Sequence, residues 1–104
     1  MYKICIYVPR KFKENVKAAM FEAGAGKSAR YKEVCFEISG IGQFYPLVGS
    51  NPSYGKHHRL KRIAEVKIET VCKKKCLAKV IQAIKQAHPY EQPAIDIIKL
   101  CLVK

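Results

Sequence analysis

The chain has 104 residues, 49% of them hydrophobic and 27% charged, a length that encloses one apolar core and a balance that excludes a disordered segment. Twenty Lys and Arg against eight Asp and Glu leave a net charge of +12 at neutral pH, which draws anions to the surface, and no apolar run approaches the roughly 20 residues of a membrane span. Five cysteines, an odd number with four inside apolar or alternating runs, point to reduced thiols. Lys3 lies within an alternating stretch rather than ahead of an apolar signal core, so the expected compartment is the cytoplasm.

Tyr2, Ile4, Ile6 and Val8 alternate with Lys3, Cys5 and Tyr7, and this period of two predicts a first strand over 2–8. Beyond Pro9, the spacing of Phe12, Val16, Ala19, Met20 and Ala23 predicts a helix, closed by Gly24-Ala25-Gly26, which supplies positive-φ residues. A second strand is expected over 33–39 with Val34, Phe36 and Ile38 inward. From Gly40 to about Arg62 periodicity disappears among glycines and prolines, predicting a long loop of the kind that carries function. The third strand is expected over 63–72, with Val66, Ile68 and Thr70 opposite Glu65, Lys67 and Glu69. A second helix carries Leu77, Val80, Ile81, Ile84 and Ala87, and ends by His88 because Pro89 disfavours helical geometry in its predecessor. The run Ala94 to Val103 changes phase between Ile97 and Ile98, which implies a strand buried on both faces or a bulge near Ile97.

These elements predict one α+β domain over 1–104, of ferredoxin-like βαββαβ type, with a four-stranded antiparallel sheet, both helices on one face and a long loop between strands two and three. The other face would carry Cys5, Tyr7, Cys35, Glu37, Lys67, Glu69 and Val71. Its half-apolar character predicts a homo-oligomer.

The segment His88-Pro89-Tyr90-Glu91-Gln92-Pro93 resembles the His-Pro-Tyr-Glu-x-Pro signature of the CutA divalent-cation-tolerance proteins, trimeric relatives of the PII nitrogen-signalling proteins. Tyr7-Val8-Pro9, Ala23 through Gly26, Gly40-Ile41-Gly42-Gln43-Phe44-Tyr45-Pro46, Asn51-Pro52, Glu65, Glu69 and Asp96 are similar, in order and spacing, to the CutA-like domain inserted in the Nif-three (NGG-interacting factor) family, of which free-standing copies occur. The resemblance implies a ferredoxin-like fold, a trimer in preference to a dimer, and a mobile, partner-contacting connection between strands two and three. The full Nif-three-like proteins resemble dinuclear metal-binding hydrolases, but their metal ligands lie in flanking halves without counterparts in these residues. The resemblance therefore implies no dimetal site.

Several side-chain groups are candidates for chemistry. His88 and Glu91 stand three residues apart across a turn fixed by two prolines, and a helix end favours protonated histidine, so the pair could hold a divalent metal or move a proton. The structural alternative is a rigid corner of His88, Pro89, Tyr90, Glu91 and Pro93, with Tyr90 packing at its base and Glu91 accepting backbone hydrogen bonds. His57 and His58 are a second metal candidate. Cys72 and Cys76 flank Lys73, Lys74 and Lys75, which would lower thiol pKa values, but no second pair completes a zinc pattern. Gly40 and Gly42 followed by Lys56, Arg59, Lys61 and Arg62 form a candidate anion or partner loop, since glycines let backbone N–H groups approach a phosphate. The reading is a non-enzymatic, oligomeric regulatory or ligand-binding module that takes a metal ion, an anionic small molecule or a protein partner. The alternatives are a basic nucleic-acid binder of sequence-independent, salt-sensitive affinity, or a subunit or accessory of a metal-dependent hydrolase.

Overall fold

The computed structural model describes residues 1–101 and 103. Its elements are β1 (Tyr2–Pro9), a short 3-10 turn (Arg10–Phe12), α1 (Lys13–Glu22), β2 (Phe36–Phe44), β3 (Lys61–Cys72), α2 (Lys74–Ala87) and β4 (Ile95–Lys99). The sheet order is β2-β3-β1-β4 with every neighbour antiparallel. This is the α+β ferredoxin-like arrangement.

The core lies between the sheet and the helices. Ile4, Ile6 and Val8 of β1 meet Val66 and Ile68 of β3 across the ladder, and α1 and α2 lay Val16, Met20, Val80 and Ile84 over them, all fully buried or nearly so. The turn after α1 requires glycine. Gly26 has φ +69°, and a Cβ there would stand 2.7 Å from the Val34 carbonyl oxygen, while its N–H donates to Val71 at 2.8 Å. At the other end of the domain α2 stops at Ala87, and His88 is extended at φ −79°, ψ 137°, as the following proline demands.

Three expectations need correction. The faces of β2 are reversed. Glu37 pairs with Ile68 and Ser39 with Val66, so Cys35 and Glu37 face the helices, while Phe36 and Ile38 lie on the open side, 64% and 51% exposed; Val34, also expected inward, is exposed. A carboxylate is tolerated under α1 because Lys13 and Lys17 reach it at 2.8 and 3.1 Å, and these hydrogen bonds, Lys13 first, hold the Glu37 pKa below the usual carboxylate value. Second, β2 and β3 run on past the expected strand ends, so Gly40, Gly42, Lys61 and Arg62 are strand residues and the connection shrinks to 45–60. Third, β4 keeps an unbroken register against β1, Ile97 opposite Ile4 and Ile98 opposite Lys3. It has no bulge, and Ile98 is half exposed rather than buried. Leu102 of the expected final run lies outside the described residues.

Because Pro9 of β1 pairs with Glu65, residues 61–64 of β3 have only β2 beside them. The hairpin therefore projects as a two-stranded ribbon, and the molecule measures 49 × 24 × 24 Å. A two-stranded ribbon is marginal alone. What holds it is the corner that follows α2.

Candidate functional site

The corner begins at His88, 6% exposed. The Tyr90 backbone N–H donates to His88 Nδ1 at 3.1 Å, so Nδ1 carries no proton. Nε2 then carries it and donates to the Tyr7 carbonyl at 2.7 Å, which defines a neutral ring in one tautomer. Burial pushes the His88 pKa down, against smaller upward contributions from the Tyr7 bond and the Glu65 charge. This reverses the expectation that the helix end favours protonation, because desolvation of a nine-tenths covered cation outweighs a dipole.

Tyr90 stands on this base. Its hydroxyl donates to Glu65 Oε2 at 2.6 Å, and its ring meets Phe44 at 6.0 Å and Tyr54 at 6.1 Å, both edge-on. Burial first, then the Glu65 hydrogen bond, pushes the phenol pKa far up. Gly42 makes this possible. A Cβ at Gly42 would fall on the Glu65 carboxylate, so this strand glycine marks a close approach rather than a loop. Loop 45–60 then folds back onto the corner. The Asn51 N–H donates to Glu91 Oε1 at 2.8 Å, and the Ser53 hydroxyl donates to the Pro89 carbonyl.

Ribbon, loop and corner together enclose a cavity of about 440 Å³, walled by Tyr7, Phe44, Tyr45, Leu47, Pro52, Tyr54 and Tyr90 with Glu65, Glu91 and Gln43 as polar groups. Its volume falls within the range of small-molecule sites, which are mostly apolar with a few placed polar groups.

The other residues singled out in the sequence are placed differently. Both nitrogens of His88 are engaged, and Glu91 is committed to Asn51. The His57 ring bonds the Ser50 carbonyl at 2.8 Å, while His58 lies edge-on to Tyr45. Among the described residues no three His, Cys, Asp or Glu side chains gather as a metal site, so the structure does not bring His88, Glu91, His57 and His58 together. Gly40 and Gly42 are extended. Lys56, Arg59, Lys61 and Arg62 are absent from the cavity wall, and the Arg62 guanidinium bonds Gln43 at 2.9 Å. Burial raises the Cys72 pKa, so its lysine neighbours do not activate it. Glu65, Tyr54, Asn51 and Ser53 escaped functional assignment in the sequence. The available signal was a glycine just beyond the alternating run 33–39, ahead of a strand that carries a carboxylate.

The Glu91 bond yields a direct prediction. Glu91→Ala should speed hydrogen exchange at the Asn51 amide several-fold while global stability falls by no more than about 1 kcal/mol, the worth of one exposed hydrogen bond. Glu91→Gln, which keeps an acceptor, should restore protection. Unaltered exchange in the alanine variant would show that the loop is held elsewhere.

No family model matches the chain. It is 43% identical over 98 residues to the GTP cyclohydrolase 1 type 2 homolog of Mycobacterium tuberculosis, covering 94% of this chain and 26% of that protein. The chain thus spans about a quarter of the length of the curated relatives it matches. Among solved structures, the Bacillus cereus protein related to NIF3 superposes with a TM-score of 0.81 at 36% identity, over 95% of this chain and 25% of that one. The periplasmic divalent cation tolerance protein CutA of Archaeoglobus fulgidus shares the fold, with a TM-score of 0.65 at 17% identity, covering 96% and 84%.

Proposed function

Since the chain is a homologue of the NIF3-related proteins with a CutA/PII-like fold, we propose that it is a non-enzymatic, oligomeric regulatory module that binds a small ligand in the cavity between ribbon, loop and corner. The observation that carries this reading is the way the cavity is built. Its back wall is a tyrosine locked to Glu65 and backed by His88, a buried histidine behind the wall with both nitrogens engaged, and its lid is a loop tied down by Asn51 and Ser53. A site pre-formed in this way binds without first having to order its walls. With its ring nitrogens satisfied by backbone groups, His88 has a structural role, which favours binding over acid–base catalysis.

The oligomeric part of the proposal rests on the open sheet face. Phe36, Ile38 and Ile98 are each at least half exposed there, next to the Lys3, Lys67 and Glu69 ion pairs. Apolar side chains flanked by ion pairs suit a second copy of the chain, and a trimer is the form we favour. Among the described residues no helix is long and apolar enough to cross a membrane. The five unpaired thiols support the cytoplasm as its compartment.

The cavity is tested by amide chemical-shift mapping against a library of soluble aromatic and heteroaromatic compounds. Binders should shift Phe44, Tyr54, Tyr90 and Gln92 together. Binders that shift only the exposed face of α1 and α2, and leave those four still, would refute the site.

A further inference from the structure

Resting on the cavity as the ligand site, we propose that its ligand is an organic cation, an alkylated or protonated amine that places its charge among Phe44, Tyr54 and Tyr90 and between Glu65 and Glu91. The argument starts from the distribution of acids in a chain of charge +12. Glu37 is held by Lys13 and Lys17, Glu14 by the same two lysines, and Glu69 by Lys3 and Lys67. Like Glu22, Glu33 and Asp96, which lie outside the cavity wall, Glu65 and Glu91 make no ion pair among the described residues, although lysine and arginine outnumber acids by more than two to one. Both of these carboxylates line the cavity, and no lysine or arginine does. Outside the wall, Lys67 stands over the Tyr7 ring at 6.0 Å and is drawn to Glu69 at 3.5 Å, and the Arg62 guanidinium is held by the Gln43 side chain at 2.9 Å.

The aromatic walls add a second attraction of the same sign. The Tyr90 ring meets Phe44 and Tyr54 at interplanar angles of 62° and 79°, so the three rings form angled walls rather than a stack. A ring face carries negative charge, and a diffuse cation resting among such faces is attracted by each. Glu65 gives one oxygen to the Tyr90 hydroxyl, and that bond places negative charge behind the ring. The missing side chain of Gly42 leaves the carboxylate its place. An anion would meet two carboxylates and no lysine or arginine in the wall. A bare metal ion would find carboxylates from two residues in a space of about 440 Å³, far larger than its coordination shell.

The test uses three compounds of one shape: phenyltrimethylammonium, its neutral carbon isostere tert-butylbenzene, and the anion benzenesulfonate, each titrated into the intact protein with amide shifts of Phe44, Tyr54 and Tyr90 as readout. Phenyltrimethylammonium should bind at least about tenfold more tightly than tert-butylbenzene, as a cation among aromatic faces does. Glu65→Gln and Glu91→Gln, which preserve the acceptors used by Tyr90 and Asn51, should each weaken the cation about threefold or more and leave tert-butylbenzene unchanged. If the neutral compound or the sulfonate binds the cavity as tightly as the cation, or if neither glutamine variant discriminates, the cation proposal is overturned while the cavity remains a ligand site. If none of the three moves the cavity resonances, both readings fail.

Discussion

The unaltered chain is expected to sediment as an oligomer, and a variant carrying Phe36→Ser and Ile38→Ser as a folded monomer. In one chain these side chains are 64% and 51% exposed on the open face, so their replacement removes little that the monomer uses, and exposed substitutions shift stability by no more than about 0.5 kcal/mol. Across an interface each would lose the transfer energy of a buried apolar side chain, about 1.5–3 kcal/mol. Two such losses per contact amount to about a hundredfold or more in the dissociation constant. Serine is chosen over aspartate because Phe36 lies opposite Glu69, where a second carboxylate would perturb the ladder itself. Sedimentation velocity at micromolar concentration, with far-ultraviolet circular dichroism to confirm the fold, decides the matter. An unaltered protein that sediments as a monomer, or a double variant that keeps its oligomeric state, would remove the second copy from this face.

That face also shows where pattern in a sequence stops. Alternation of Val34, Phe36 and Ile38 against Cys35 and Glu37 established a strand and its phase, but a period of two is symmetric between faces. Hydrophobicity places the more apolar set inward. The structure turns it outward, because Glu37 is satisfied by two lysines of α1, a pairing between residues 20 and 24 positions apart that no local pattern contains. β1 and α2 were legible for the opposite reason. Ile4, Ile6 and Val8 face a full layer of core, and Val80 and Ile84 meet it from above, so hydrophobicity alone fixes their direction. The candidate site was legible in part. Proline geometry located the His88–Pro93 corner, whereas Gly40 and Gly42 were read as loop residues because glycine marks both turns and close approaches. Only the lie of the Glu65 side chain over Gly42 in the folded sheet, two residues along from its register partner Gly40, separates the two. The cavity itself depends on the return of loop 45–60 to the corner through Asn51 and Ser53, contacts 36 to 40 residues apart that periodicity cannot report.

His88 carries the largest stability effect expected of any single side chain outside the apolar core. His88→Phe keeps a ring of similar size but strips both polar atoms, leaving the Tyr7 carbonyl and the Tyr90 N–H without these partners. Two buried backbone groups deprived in this way cost about 2–4 kcal/mol together, and the variant should show that loss in chemical unfolding at pH 8. The same geometry sets a pH dependence. The folded-state pKa of His88 lies below its ordinary 6.5, with burial the main cause, so between the two values the unfolded chain binds the proton and the folded one does not. The stabilisation is complete above pH 6.5, declines as pH falls through it, and is fully lost below the lowered folded-state value. Glu37, lowered chiefly by its bond to Lys13, and Glu69, lowered chiefly by its bond to Lys3, begin to lose theirs only near the ordinary carboxylate value of 4.5, so the histidine component stands apart on the pH axis. In the unaltered protein, unfolding free energy should therefore fall on going from pH 7.5 to pH 5.5, and His88→Phe should flatten that part of the curve while retaining the decline near pH 4. Curves that run parallel from pH 7.5 to 5.5 would mean that the His88 ring does not titrate against the folded state. The neutral tautomer that ties β1 to the corner at Tyr90 would then have to be abandoned.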